Sequence, residues 1–138
     1  MNSGSCLCGA ISFVYDGPLE TPRYCHCANC RKFSGTSPAA WIMAYKAFLE
    51  AKQSARLIRF NSGRGIRCSC ARCASPIWFE SIDFPEIVGL PLGVFDSGAI
   101  PEPEMHLWWD SRPQWWCGTD SLDKYKNGPD SIRAQGGN

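Results

Sequence analysis

Short strand-like stretches closed by turn residues run along most of this chain. Ile11-Ser12-Phe13-Val14-Tyr15 predicts a strand, and Asp16-Gly17-Pro18 supplies the turn that ends it. Ala39 to Ala44, with Trp41-Ile42-Met43 inside it, predicts a buried strand, and Tyr45 to Ala51 predicts a helical turn or two. Arg56 to Phe60 alternates charged and apolar residues as an exposed-face strand would, with Asn61-Ser62-Gly63 as the turn after it. Further strands are expected at Ile66–Cys68, Ile77–Glu80, Glu86–Leu90 and His106–Trp109. Gly (13) and Pro (10) are spread throughout, which disfavours long helices. The pattern is that of a mainly β domain of short strands, one domain over residues 1–126. Residues 127–138, with Asn127-Gly128-Pro129-Asp130 and Gly136-Gly137-Asn138, are expected to form a loosely ordered tail.

Composition removes several classes of function. The chain has 138 residues, 44% hydrophobic and 20% charged, enough for one real core but not for two independent ones. Lys plus Arg total 14 against 13 for Asp plus Glu, a net charge of +1, so no field favours nucleic acid or an anionic membrane as partner. No apolar run approaches the ~20 residues needed to span a bilayer. Met1-Asn2-Ser3-Gly4-Ser5-Cys6 lacks the basic and apolar regions of a signal peptide, which makes a cytoplasmic location the expectation.

Two features depart from an average composition. There are six tryptophans, four of them in Trp108-Trp109 and Trp115-Trp116, most simply core and pocket wall. There are also nine cysteines. An odd number in a chain without an export signal argues against a disulfide framework, because cytosolic thiols are kept reduced. Thiols at short spacing in that compartment more often hold metal. Three clusters stand out: Cys6-Leu7-Cys8, Cys25-His26-Cys27-Ala28-Asn29-Cys30 and Cys70-Ala71-Arg72-Cys73.

Zinc takes four ligands in a tetrahedron, and Cys6/Cys8 with Cys70/Cys73 supply four thiolates. One ion closing these half-sites would pin the first hairpin to the middle of the chain, a large gain for a loop-rich β domain. The competing reading is buried free thiols or a redox pair, and spacing alone leaves other pairings open, including Cys68 in place of Cys70. Cys25, Cys27 and Cys30 are three, an odd number for a closed tetrathiolate, and three protein ligands plus one exchangeable position is the arrangement of a catalytic zinc. His26 could be the fourth ligand, but in an extended segment with Cys25 and Cys27 facing the ion it points the other way. A second structural metal that uses His26, or an unmetallated reactive cluster, is the alternative. Cys68 and Cys117 read as ordinary free cysteines, and His106 as a hydrogen-bonded structural histidine. Arg31-Lys32 follows Cys30; a cation beside thiolates lowers their pKa and can hold a substrate carboxylate.

Gly4-Ser5-Cys6-Leu7-Cys8-Gly9-Ala10-Ile11, Cys25-His26-Cys27-Ala28-Asn29-Cys30-Arg31-Lys32-Phe33-Ser34-Gly35 and Cys70-Ala71-Arg72-Cys73-Ala74-Ser75-Pro76 together resemble the glutathione-dependent formaldehyde-activating enzyme family, which also includes centromere protein V-like proteins. His106-Leu107-Trp108 with Trp115 is similar to that family's C-terminal signature, so the resemblance covers roughly Gly4 to Tyr125. It implies a β-tent of small antiparallel sheets around a structural zinc held by Cys6, Cys8, Cys70 and Cys73. It also implies a second zinc at the active site, held by Cys25, Cys27 and Cys30. The implied activity is that of a carbon–sulfur lyase that condenses glutathione with formaldehyde to S-hydroxymethylglutathione. Two positions depart from the pattern: the family usually has an aromatic where Ser69 stands and Gly where Ala74 follows Cys73.

The leading expectation is therefore an enzyme that adds a glutathione-like thiol to a small aldehyde, with a small-molecule thiol and aldehyde as its partners. Cys25, Cys27 and Cys30 would hold the ion and Arg31 a carboxylate of the thiol, while Ser34-Gly35-Thr36 would offer donors to the developing alkoxide. The alternatives are a non-catalytic zinc-binding module acting through a protein partner, and thiol redox chemistry or metal buffering at the middle cluster.

Overall fold

The structure, a computed structural model, describes residues 1–131 and 133. In chain order its strands are β1 (Asn2–Ser5), β2 (Ile11–Tyr15), β3 (Arg23–Cys25), β4 (Ala39–Tyr45), β5 (Leu49–Gln53), β6 (Leu57–Asn61), β7 (Gly65–Cys70), β8 (Pro76–Ser81), β9 (Ile87–Pro91), β10 (Phe95–Ser97), β11 (Met105–Leu107) and β12 (Asp123–Lys124). One α-helix among the described residues, α1 (Ala28–Ser34), lies between β3 and β4. No helix among the described residues is long and apolar enough to cross a membrane.

The chain forms two compact units. The first comprises Met1–Glu20 and Ile42–Pro101, the second Thr21–Trp41 and the chain from Glu102 onward, so β4 begins in one and ends in the other. In the first unit, one antiparallel sheet has the order β10-β1-β2-β5, and β9-β8-β7-β6 forms a second antiparallel array. Strand β2 is formed where the sequence predicts a strand; Ile11, Phe13 and Tyr15 are buried, while Val14 faces solvent. These three side chains join Ile42, Ile77, Trp78, Val88 and Leu90 in one core, at about 1.5–3 kcal/mol for each large apolar side chain buried. Cys6, Cys68 and Cys70 belong to the same core.

The second unit is built on the short array β12-β11-β3-β4. Strand β11 runs parallel to both of its neighbours, and β3 antiparallel to β4, with Cys25 opposite Ala39 and Trp41 opposite Arg23. Its interior is unusually polar: His26 and His106 are buried alongside Leu107 and Trp109.

Two sequence expectations need revision. Only Lys46–Phe48 of the helical turns expected over Tyr45–Ala51 is a 3-10 turn; Leu49–Gln53 is strand, because pairing with β2 from Ile11↔Gln53 to Tyr15↔Leu49 outweighs local helix preference. The strand expected at His106–Trp109 ends at Leu107, because Trp108 takes the left-handed conformation (φ 55, ψ 42) and starts a 3-10 turn. Helix α1 was not anticipated. Of the tail expected over 127–138, residues 132 and 134–138 lie outside the described residues; Arg133 bridges to Tyr125.

Candidate functional site

Two hairpin tips of the first unit bring the outer cysteine clusters together. Cys6 and Cys8 sit in the β1–β2 turn, where the Gly9 N–H donates to the Cys6 carbonyl at 3.0 Å and Gly9 itself is left-handed (φ 76). Cys70 ends β7, and Cys73 lies in the turn before β8, closed by Ala74 N–H to the Cys70 carbonyl at 2.8 Å. The Leu7 N–H donates to the Ser75 hydroxyl at 3.0 Å and so ties one tip to the other. All four sulfurs lie within 4.8 Å of one another, with Cys6–Cys8 at 3.7 Å and Cys8–Cys70 at 3.9 Å. A tetrahedron with metal–sulfur bonds of about 2.3 Å has sulfur–sulfur edges of about 3.8 Å, so the quartet fits a zinc-like ion.

The protonation pattern points the same way. Hydrogen bonds from the Ser75 hydroxyl and backbone N–H hold Cys73 down to about 5. Cys8 accepts from the Ala10 N–H, yet partial desolvation and the neighbouring sulfurs push it up to about 11. Like charges this close cannot all ionise unless a cation lies between them. Amides support the sulfurs further: Ile11 N–H donates to Cys6 Sγ at 3.3 Å and Arg72 N–H to Cys70 Sγ at 3.4 Å.

Cys25, Cys27 and Cys30 form the second cluster, wholly within the second unit, with sulfurs again within 4.8 Å of one another. Cys25 ends β3 and Cys30 lies one turn into α1, where it is the helix's buried residue. Cys27 is the N-cap: its backbone is extended and its sulfur accepts from the Cys30 N–H at 3.3 Å. Gly35 closes the helix in the left-handed conformation (φ 73), its N–H on the Arg31 carbonyl at 2.9 Å. The sulfurs of Cys27 and Cys30, and then burial, push the Cys25 thiol far up, the mark of a cluster that lacks compensating charge among its protein atoms.

His26 does not join this cluster. Its Nε2 lies 2.8 Å from His106 Nδ1, and His106 Nε2 lies 2.7 Å from Asp120 Oδ2. Both rings are fully buried and walled by Trp109 and Trp116, with Tyr24 stacked on His106. Burial first, and then the neighbouring His106, lowers His26 to about 4, which keeps its ring neutral. Gly118 leaves room for the Trp116 indole, which a Cβ there would meet at 2.5 Å.

Arg31 lies on α1 with its Nε buried and without a hydrogen-bond partner among the described residues. Ser37 Oγ, Trp41 Nε1 and His26 Nδ1 are in the same condition. Four such atoms lie within residues 26–41. Ser34 Oγ donates to the Cys30 carbonyl at 2.7 Å and accepts from the Thr36 N–H at 3.3 Å. With the Gly35 N–H on Arg31, the hydroxyl of the exposed Thr36 is the donor of this loop not engaged in capping α1. Cys68 is a buried thiol, pushed up to about 11 by burial and then by Glu80, and Cys117 is exposed.

Cys25–His26–Cys27 signalled its own importance by spacing, whereas Asp120, Ser37 and Trp41 gave no local signal. Asp120 meets His106 across 14 residues and His106 meets His26 across 80, distances that no motif spans.

A family model described as glutathione-dependent formaldehyde-activating enzyme matches residues 1–111. A protein of Halomonas elongata, provisionally named a glutathione-dependent formaldehyde-activating enzyme, is 31% identical over 122 residues, which cover 81% of this chain and 77% of that protein. Among solved structures, a Rhodobacter sphaeroides protein shares the fold with a TM-score of 0.55 at 20% identity, over 70% of this chain and 90% of its own. With three cysteine motifs in order and a family model spanning most of its length, the chain belongs to the glutathione-dependent formaldehyde-activating enzyme family.

Proposed function

We propose that this protein is a zinc-dependent carbon–sulfur lyase-type enzyme that adds a glutathione-like thiol to formaldehyde or a similar small aldehyde. In this reading Cys6, Cys8, Cys70 and Cys73 hold a structural ion, and Cys25, Cys27 and Cys30 hold a second. The observation that carries it is the convergence of three sulfurs without a fourth His, Cys, Asp or Glu ligand among the described residues. A zinc ion held by the trio would supply an open coordination position at which a thiol gives up its proton.

The chain's own residues bind and orient. Arg31, beside Cys30 and with an unpartnered Nε–H, takes a carboxylate of the thiol. Ser37 and Trp41 add buried donors for its other polar groups. The Thr36 hydroxyl donates to the oxygen on which charge develops. In the net reaction a carbon–sulfur bond forms, the carbonyl π pair moves to oxygen, and that oxygen takes up the proton the thiol released.

The test is metal content per chain by mass spectrometry, together with two-dimensional exchange NMR of glutathione, formaldehyde and their adduct. Two zinc ions and an exchange rate above the spontaneous one are expected. Two ions with no acceleration would remove formaldehyde and glutathione as substrates, and a single ion would favour a binding module over an enzyme.

A further inference from the structure

The chain Asp120–His106–His26, two buried histidines ending on a solvent-exposed carboxylate, is not used by the chemistry above, yet much of the second unit is organised around it. Asp120 is fixed through both oxygens: Oδ2 lies on His106, while Oδ1 accepts from the Leu122 N–H at 3.0 Å and from Lys124 Nζ at 3.2 Å. A carboxylate only accepts, so His106 donates through Nε2–H, and with its ring neutral it turns the lone pair of Nδ1 toward His26. His26 must then donate through its own Nε2–H, which leaves Nδ1 unprotonated; this is the ring nitrogen without a partner. The left-handed backbone of Trp108, rare for so bulky a residue, turns the chain directly after β11, and the Trp109 ring packs against both histidines. The backbone of His26 is held as well, its N–H donating to the Leu107 carbonyl at 3.0 Å.

His26 is the single residue between Cys25 and Cys27. A ring and an N–H both held in place leave that residue little freedom, and its two neighbours inherit the constraint. We propose that Asp120, His106 and His26 are positioning residues for the three-sulfur site: Asp120 dictates the tautomers, and the locked His26 holds the Cys25–Cys27 backbone so that both sulfurs face one point. The inference rests on the trio holding an ion, as proposed above.

Two measurements on the full chain test it. Long-range 15N–1H NMR of the wild type is expected to find the ring proton on Nε2 in both histidines. Asp120→Asn keeps the shape of the side chain but can present its amide N–H to His106, so both tautomers should reverse to Nδ1–H. Co2+ titration, followed by thiolate-to-metal charge-transfer absorption, reads the two sites. Asp120→Asn is expected to bind at the trio about 10–100-fold more weakly, with the quartet unchanged. His106→Gln, which breaks the chain at its centre, should show the same selective loss. If Asp120→Asn keeps wild-type tautomers and binds two Co2+ ions as tightly as the wild type, the relay is wrong and the metal site stands. A wild type that takes up a single Co2+ would overturn the three-sulfur site itself, and the relay's purpose with it.

Discussion

Cys8 and Cys70 are 62 residues apart in the chain, yet their sulfurs lie 3.9 Å from each other at the meeting of two hairpin tips. An ion held there closes a loop of that size. By the chain-entropy relation for cross-links this is a stabilisation of up to about 4 kcal/mol, a large part of a small domain's total. Cys8→Ser is therefore expected to lower Tm sharply and to remove one equivalent of bound metal, measured by calorimetry and metal analysis. An unchanged Tm would show that the quartet does not brace the fold.

Cys27→Ser should behave differently. Serine is itself a good N-cap, so α1 keeps its first hydrogen bond and the chain should stay folded. The expected result is the loss of the other metal equivalent and of catalysed adduct formation, with Tm changed far less than in Cys8→Ser. A chain that unfolds instead would reverse the roles assigned to the two clusters.

Ala74 occupies a position that wants glycine. Its φ of 63 places an alanine in the left-handed region, at a cost of about 1–2 kcal/mol that glycine does not incur. Part of that gain is offset by glycine's greater freedom in the unfolded chain. Ala74→Gly is expected to stabilise by about 0.5–1 kcal/mol, a rise in Tm of a few degrees by calorimetry. A fall in Tm would contradict the turn geometry after Cys73.

Glu80 gives the fold a pH dependence. Arg59 donates to it through two nitrogens at 2.8 and 2.7 Å, Trp78 Nε1 donates at 3.1 Å, and the carboxyl is held below its ordinary range, chiefly by Arg59. A carboxylate whose folded pKa lies below its unfolded value stabilises the fold at pH above about 4.5, and this contribution is lost as pH falls through the folded value. Arg59→Ala should cost about 1 kcal/mol at pH 7 and little at the acid end, because Arg59 is half exposed. Urea titrations at several pH values measure the difference; a deficit that does not shrink on acidification would remove Glu80 as its source.

How much of this could be read beforehand depended on the range of each interaction. The cysteine clusters were legible because their sulfurs come in short runs of sequence, with Cys25, Cys27 and Cys30 inside six residues of chain. Strand β2 was legible because a run of strand-forming residues, Ile11 to Tyr15, ends at the turn residues Asp16-Gly17-Pro18. Helix α1 was not, since seven residues with Cys30 alone buried show no apolar stripe; caps at Cys27 and Gly35 hold it. Strand β5 was misread because all its residues but Leu49 are exposed, and only its partner β2 makes it a strand. The Asp120–His106–His26 chain joins three segments that carry no mark of one another.

The quartet of sulfurs is lopsided, with Cys6 and Cys70 sealed among apolar side chains while Cys8 stands open to water and Cys73 is half exposed. An ion seated between them would be approachable from one side only. A competing chelator or an oxidant would thus engage Cys8 and Cys73 first, and the inward pair would let go last, once the hairpin tips had already parted.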